Sequence, residues 1–214
     1  MMYVFLVFLS GLISIDRNNA LNLMISRPIV ISLLFFLLVQ NNVAIILIGI
    51  LYEIYGVIDI PVGTHLPKDD SFATYCSLVA IVLGYVNNSL NFMLMVLLSL
   101  VLMYFATITE SYTRKINRIL YNKIECRKTF TPKYLIFLGI LISFLKGIIV
   151  YNIGAVLLII LLYYVTLEAD VNIGLYACIL ITVVTAYFIE YFETFGYKKY
   201  LFIACGFIIG WLLI

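Results

Sequence analysis

Residues 71–109 read SFATYCSLVAIVLGYVNNSLNFMLMVLLSLVLMYFATIT, 39 positions without an Asp, Glu, Lys, Arg or His. A helix rises about 1.5 Å per residue, so one helix of this run would reach roughly 58 Å, against a hydrocarbon core of about 30 Å. The run must therefore fold back on itself, and Asn87-Asn88-Ser89 supplies the turn. Strands of a membrane barrel alternate polar and apolar residues. Met93-Leu94-Met95-Val96-Leu97-Leu98 does not alternate, so both arms are expected to be helices.

Outward from this run the pattern repeats. Residues 1–15, 28–52, 147–167, 171–189 and 200–214 also lack Asp, Glu, Lys, Arg and His. The chain of 214 residues is 65% hydrophobic and 11% charged, where soluble domains run near half apolar and a quarter charged. A water-soluble fold could not bury that much apolar surface. The expected class is an all-α polytopic membrane protein with seven to nine transmembrane or re-entrant helices. Residues 1–15 have neither the positive start nor the small-residue cleavage site of a secretory signal, so they are read as part of the fold.

Charge is distributed unevenly. Seven of the 13 Lys and Arg residues (Arg114, Lys115, Arg118, Lys123, Arg127, Lys128 and Lys133) fall within 114–133. A nucleic-acid patch is the competing reading of such a cluster. Apolar spans flank this one on both sides, so it is read as a topology determinant that faces the cytoplasm, with no nucleic-acid partner. The chain then divides into an N-terminal membrane region, 1–113, a basic cytoplasmic loop, 114–133, and C-terminal membrane helices, 134–214. Spans are expected near 134–151, 153–167, 171–190 and 198–214, broken at Tyr151-Asn152-Ile153-Gly154 and at Glu168-Ala169-Asp170.

The segment 28–58 differs from the other spans. It is apolar apart from Gln40-Asn41-Asn42 and Glu53, and each arm is too short for a comfortable crossing. Short, broken helices at membrane depth line sites buried in protein, so a re-entrant hairpin is expected here. A charge at mid-membrane costs about 2.5–3.5 kcal/mol on insertion scales, which makes Glu53 the first candidate for function. Gly49 and Gly56 stand four before and three after it, leaving its helix face small. An interfacial Glu at a helix end is the plainer alternative.

The loop Asp59-Ile60-Pro61-Val62-Gly63-Thr64-His65-Leu66-Pro67-Lys68-Asp69-Asp70 could close over a polar site, and Pro28 suits the first turn of a helix. Cys76, Cys126, Cys178 and Cys205 lack C-x-x-C spacing, and His65 is the single histidine. No metal site, cofactor or catalytic set is expected from these residues.

Together these residues resemble the membrane-embedded C subunit of the mannose/fructose/sorbose family of bacterial sugar phosphotransferase systems (PTS). The family pattern begins with an apolar segment carrying an acid, here Asp16, followed by an Arg-Pro start, here Arg27-Pro28-Ile29-Val30. A Gly-Asp turn comes next, where this chain has Gln40-Asn41, and then a glycine-rich helix ending in Glu, here Ile48 to Glu53. The Gly…Pro-Asp loop corresponds to Gly63 through Pro67-Lys68-Asp69. Order and spacing match over about residues 3–85.

The resemblance implies a multi-pass permease subunit (IIC) of the bacterial cytoplasmic, or inner, membrane, acting within an oligomer. It would import a hexose with a membrane partner, subunit IID, while soluble subunits IIA and IIB deliver phosphate. The chemistry would belong to the partner, so this chain needs no catalytic residue. Carboxylates and amides pair with sugar hydroxyls. The candidate sugar ligands are Glu53 and Asp69, then Gln40, Asn41 and Asn42, then Asp16 and His65. Two rival functions stay open: an ion-coupled secondary transporter with Glu53 as the cation site, and a degenerate, non-transporting membrane scaffold of the same fold.

Overall fold

The computed structural model describes residues 2–18, 23–39, 41–58, 68–86, 88–125 and 132–164. These residues form helices and connecting turns, with no strand among them: α1 Met2–Asn18, α2 Pro28–Leu38, α3 Val43–Ile58, α4 Asp70–Val82, α5 Ser89–Glu125 and α6 Pro132–Tyr164. The expected spans at 171–190 and 198–214, and the break at 168–170, lie outside the described residues.

Local chemistry accounts for the helix boundaries. α2 opens on Pro28, whose fixed φ suits a first turn, after an extended Arg27. α3 is capped by Asn42, whose Oδ1 accepts the Ala44 N–H at 3.0 Å. α4 is capped by Asp69, which accepts the Phe72 N–H at 3.0 Å. α4 ends at Val82, and just past its Leu83 cap Gly84 takes a φ of 77°, a left-handed conformation that a side chain would oppose. The 71–109 run thus folds back between Val82 and Ser89, as expected.

α4 is the centre of the bundle. All eleven residues from Ser71 to Ile81 are buried, and the helix packs against α2, α3, α5 and α6. α1 lies along α6, α2 pairs with α3, and α5 pairs with α6. Aromatic edges join the layers: Phe35 meets Tyr75, and Phe72 meets Tyr151, with ring centroids 6.1 and 5.4 Å apart.

Two helices, α5 and α6, are long and apolar enough to cross a membrane. Only 39% and 33% of their apolar windows are buried within the chain, whereas a core helix of a soluble protein hides most of its surface. Tyr104, Phe105, Ile153 and Val156 all lie exposed on them.

Two expectations are corrected. α6 runs unbroken through Tyr151-Asn152-Ile153-Gly154. Asn152 does not break the helix because its Nδ2 donates to the Ile148 carbonyl at 2.7 Å and to Ser10 Oγ at 3.1 Å. Gly154 leaves room for Phe72, and a Cβ there would also lie 3.1 Å from Cys76 Sγ. These small and polar residues serve packing between helices. The stretch 114–133 also begins as helix, because α5 continues to Glu125.

Candidate functional site

Polar side chains gather where α1 ends and α4 begins. Arg17, in the last turn of α1, is the hub. Its guanidinium pairs with Asp69 at 3.0 Å and with Asp70, and it donates to Ser71 Oγ at 2.9 Å and the Lys68 carbonyl at 2.6 Å. The planar fork of arginine allows this many acceptors at once. The Asp69 side chain is only 5% exposed, and it also accepts from the Tyr151 hydroxyl at 3.2 Å. A separate polar group lies beyond the Tyr151 ring: Tyr75 donates to Asn152 Oδ1 at 3.1 Å, and Asn152 reaches Ser10.

Asp16 stands beside Arg17 and has a different task. Its two oxygens accept the backbone N–H groups of Leu23 at 2.6 Å and Ser26 at 2.8 Å, which closes the α1–α2 turn. Within that turn Met24 takes a φ of 59°. Ser71 then donates to the Ser26 carbonyl at 2.6 Å, tying the turn to α4.

Glu53 sits at the open base of the α2/α3 hairpin. Arg27 donates to it at 3.4 Å and the Ile29 N–H at 3.3 Å. Its side chain is 23% exposed and that of Arg27 is 51% exposed, so the pair is accessible. The two glycines on the Glu53 face do what their spacing suggested. A Cβ at Gly49 would meet Ser32 and lie 3.1 Å from the Pro28 carbonyl, so α3 approaches α2 closely there. A Cβ at Gly56 would meet the Asp70 carboxylate. The hairpin base therefore adjoins the Arg17 cluster through Gly56 and Asp70.

The sequence candidates divide accordingly. Asp16, Glu53 and Asp69 lie around this one polar region. Asn41 and Asn42 lie at the hairpin's closed end, about 17 Å from Glu53 along the α3 axis. Gln40 and His65 lie outside the described residues. Sequence reasoning did not single out Arg17 and Tyr151. Arg17 left a signal, because adjacent Asp69 and Asp70 in an apolar setting call for a cation.

A second ion pair joins α5 to α6. Lys146, midway along α6, is buried and donates to Glu110, which also accepts from Arg114 at 3.3 Å. Tyr52 makes a third buried joint, its hydroxyl 3.3 Å from Ser77 Oγ and bonded to Ser99. Among the described residues no group of three His, Cys, Asp or Glu gathers to hold a metal ion.

Such an arrangement can accept hydrogen bonds from hydroxyl groups at Glu53 and donate them from Arg27. No protein-family model matches the chain, and no curated protein or solved structure matches it either.

Proposed function

We propose that the chain is the sugar-translocating C subunit of a mannose-type, phosphoenolpyruvate-dependent phosphotransferase system, a multi-pass protein of the bacterial cytoplasmic membrane. The observation that carries this reading is the α2/α3 hairpin with Glu53 at its base. α2, with 11 residues, is about 16 Å long and cannot cross a hydrocarbon core alone. Irregular backbone at membrane depth is tolerated where it is buried in protein or lines a cavity. The half-buried Glu53–Arg27 pair offers an acceptor and a donor at the base of such a hairpin.

The order of elements also supports the reading. An acid ends α1, Arg-Pro opens α2, Glu53 lies in the last turns of α3, and Asp69 caps α4. That is the order of the family pattern quoted above. In this mechanism Glu53 accepts from neighbouring hydroxyls of a hexose, a charge-assisted contact. The membrane partner IID completes the path, IIA and IIB pass phosphate, and the sugar is phosphorylated as it arrives inside.

One observation favours the scaffold reading instead. Asp16 and Asp69 are occupied by the chain's own donors, so neither is free to bind sugar without first releasing them. Glu53→Gln separates the two readings. In cells that supply the partner subunits, the variant is expected to lower hexose uptake about tenfold or more while still inserting in the membrane. Unchanged uptake would remove Glu53 from the path. Absence of uptake by the parent chain would favour the scaffold, and uptake driven by a proton or sodium gradient without phosphoenolpyruvate would favour the secondary transporter.

A further inference from the structure

α5 does not stop where its charge-free run ends at Thr109. It continues to Glu125, and an exposed apolar stripe continues with it: Phe105, Ile108, Tyr112, Ile116 and Ile119. These positions are three and four apart, so they share one helix face. Past Thr109 basic residues flank this stripe and continue round the helix from it. Arg114, Lys115 and Arg118 are all exposed, and the Lys115 ammonium lies 5.2 Å over the Tyr112 ring. No acid lies between Glu110 and Glu125, and Glu110 is engaged by Lys146 and Arg114. The first turn of α6 adds exposed Lys133 and Tyr134 alongside.

Distance places this edge at a bilayer surface. Arg118 lies about 14 Å along the helix beyond Thr109. The headgroup zone adds about 5–8 Å to each side of the hydrocarbon core, and long cationic side chains reach back toward it. An apolar stripe with aromatic residues and a basic edge is the pattern of a helix seated at a membrane interface, and a basic cluster beside a span attracts anionic lipid.

We infer that Arg114, Lys115 and Arg118 form a binding edge for anionic phospholipid headgroups, with Tyr112 seated at the boundary between the headgroups and the acyl chains. This rests on the reading that the chain spans a bilayer, and not on sugar transport. From Thr109 to Ile124 the sequence carries four Lys and Arg residues and a single acid, Glu110, so a phosphate diester is the complementary partner. Arginine can hold it in bidentate fashion.

The test uses the full chain reconstituted in phosphatidylcholine vesicles with trace spin-labelled phosphatidylglycerol or phosphatidylcholine. The ratio of motionally restricted fractions gives lipid selectivity. The parent is expected to favour phosphatidylglycerol about threefold, with the preference lost at about 1 M salt. Arg114→Gln/Lys115→Gln/Arg118→Gln is expected to abolish the preference, and Arg114→Lys/Arg118→Lys to keep it. Equal association of both lipids with the parent would overturn the inference, as expected if an acidic protein were the occupant. Full selectivity in the triple Gln variant would overturn it as well. Alkaline carbonate extraction distinguishes the failures: release of the chain refutes the bilayer reading, whereas an embedded chain without lipid preference refutes this inference alone.

Discussion

Arg17→Met removes the guanidinium that Asp69 and Asp70 share. Methionine keeps the length and apolar stem of the side chain but none of its donors. Asp69, 5% exposed at its side chain, would keep the Phe72 N–H and the Tyr151 hydroxyl. Asp70, 15% exposed, would keep the Ser71 N–H. Breaking a buried pair by removing one partner costs about 3–5 kcal/mol, because the remaining charge stays buried and uncompensated. The Cys76 thiol is a probe in place, since it is fully buried on α4 and bonded to the Tyr151 carbonyl. In a background where Cys126, Cys178 and Cys205 are Ser, a thiol-reactive fluorophore reports how often the bundle opens around Cys76. The expected effect of Arg17→Met is faster labelling by about 10²–10³-fold. Adding Asp69→Asn and Asp70→Asn, which remove the stranded charges, should recover most of that loss. Labelling within about threefold of the parent would refute the reasoning. So would a triple variant no better than Arg17→Met.

Three further outcomes follow from the packing. Gly154→Ala drives a methyl into the Phe72 ring and toward Cys76, and should cost about 1–3 kcal/mol in the same labelling assay. Tyr52→Phe leaves the Ser77 and Ser99 hydroxyls without their shared partner and should cost about 1 kcal/mol, read by thermal unfolding in detergent. Lys146→Met takes from Glu110 its buried cation; in a double-mutant cycle with Glu110→Gln the coupling should exceed about 1 kcal/mol.

Much of the fold was legible because a single force dominates it. Charge-free runs mark the apolar helices, and the chain folds back between α4 and α5 a few residues before the expected turn, at Leu83-Gly84, with Ser89 already the first residue of α5. The glycines flanking Glu53 were legible for the same kind of reason, since helical spacing places them on its face. The Arg17 cluster was not, because 52 residues separate Arg17 from Asp69 and no periodicity links them. Asp16 and Asp69 read as ligands in the sequence, yet in the fold each also satisfies backbone N–H groups that a turn or helix end leaves open. The break expected at Tyr151-Asn152-Ile153-Gly154 rested on residue types that interrupt helices in water. Here Asn152 bonds back to its own helix and Gly154 receives a neighbouring ring, so the same residues join helices.

The central claim is tested most directly by sugar phosphorylation across a membrane. Right-side-out vesicles carrying this chain and its IID partner, loaded with IIA, IIB and the general phosphotransfer proteins, would be given labelled hexose outside. The proposal expects labelled sugar phosphate to accumulate inside only when phosphoenolpyruvate is supplied, and the signal to fall with Glu53→Gln. Free, unphosphorylated sugar accumulating on an ion gradient, or no accumulation at all with every partner present, would contradict it.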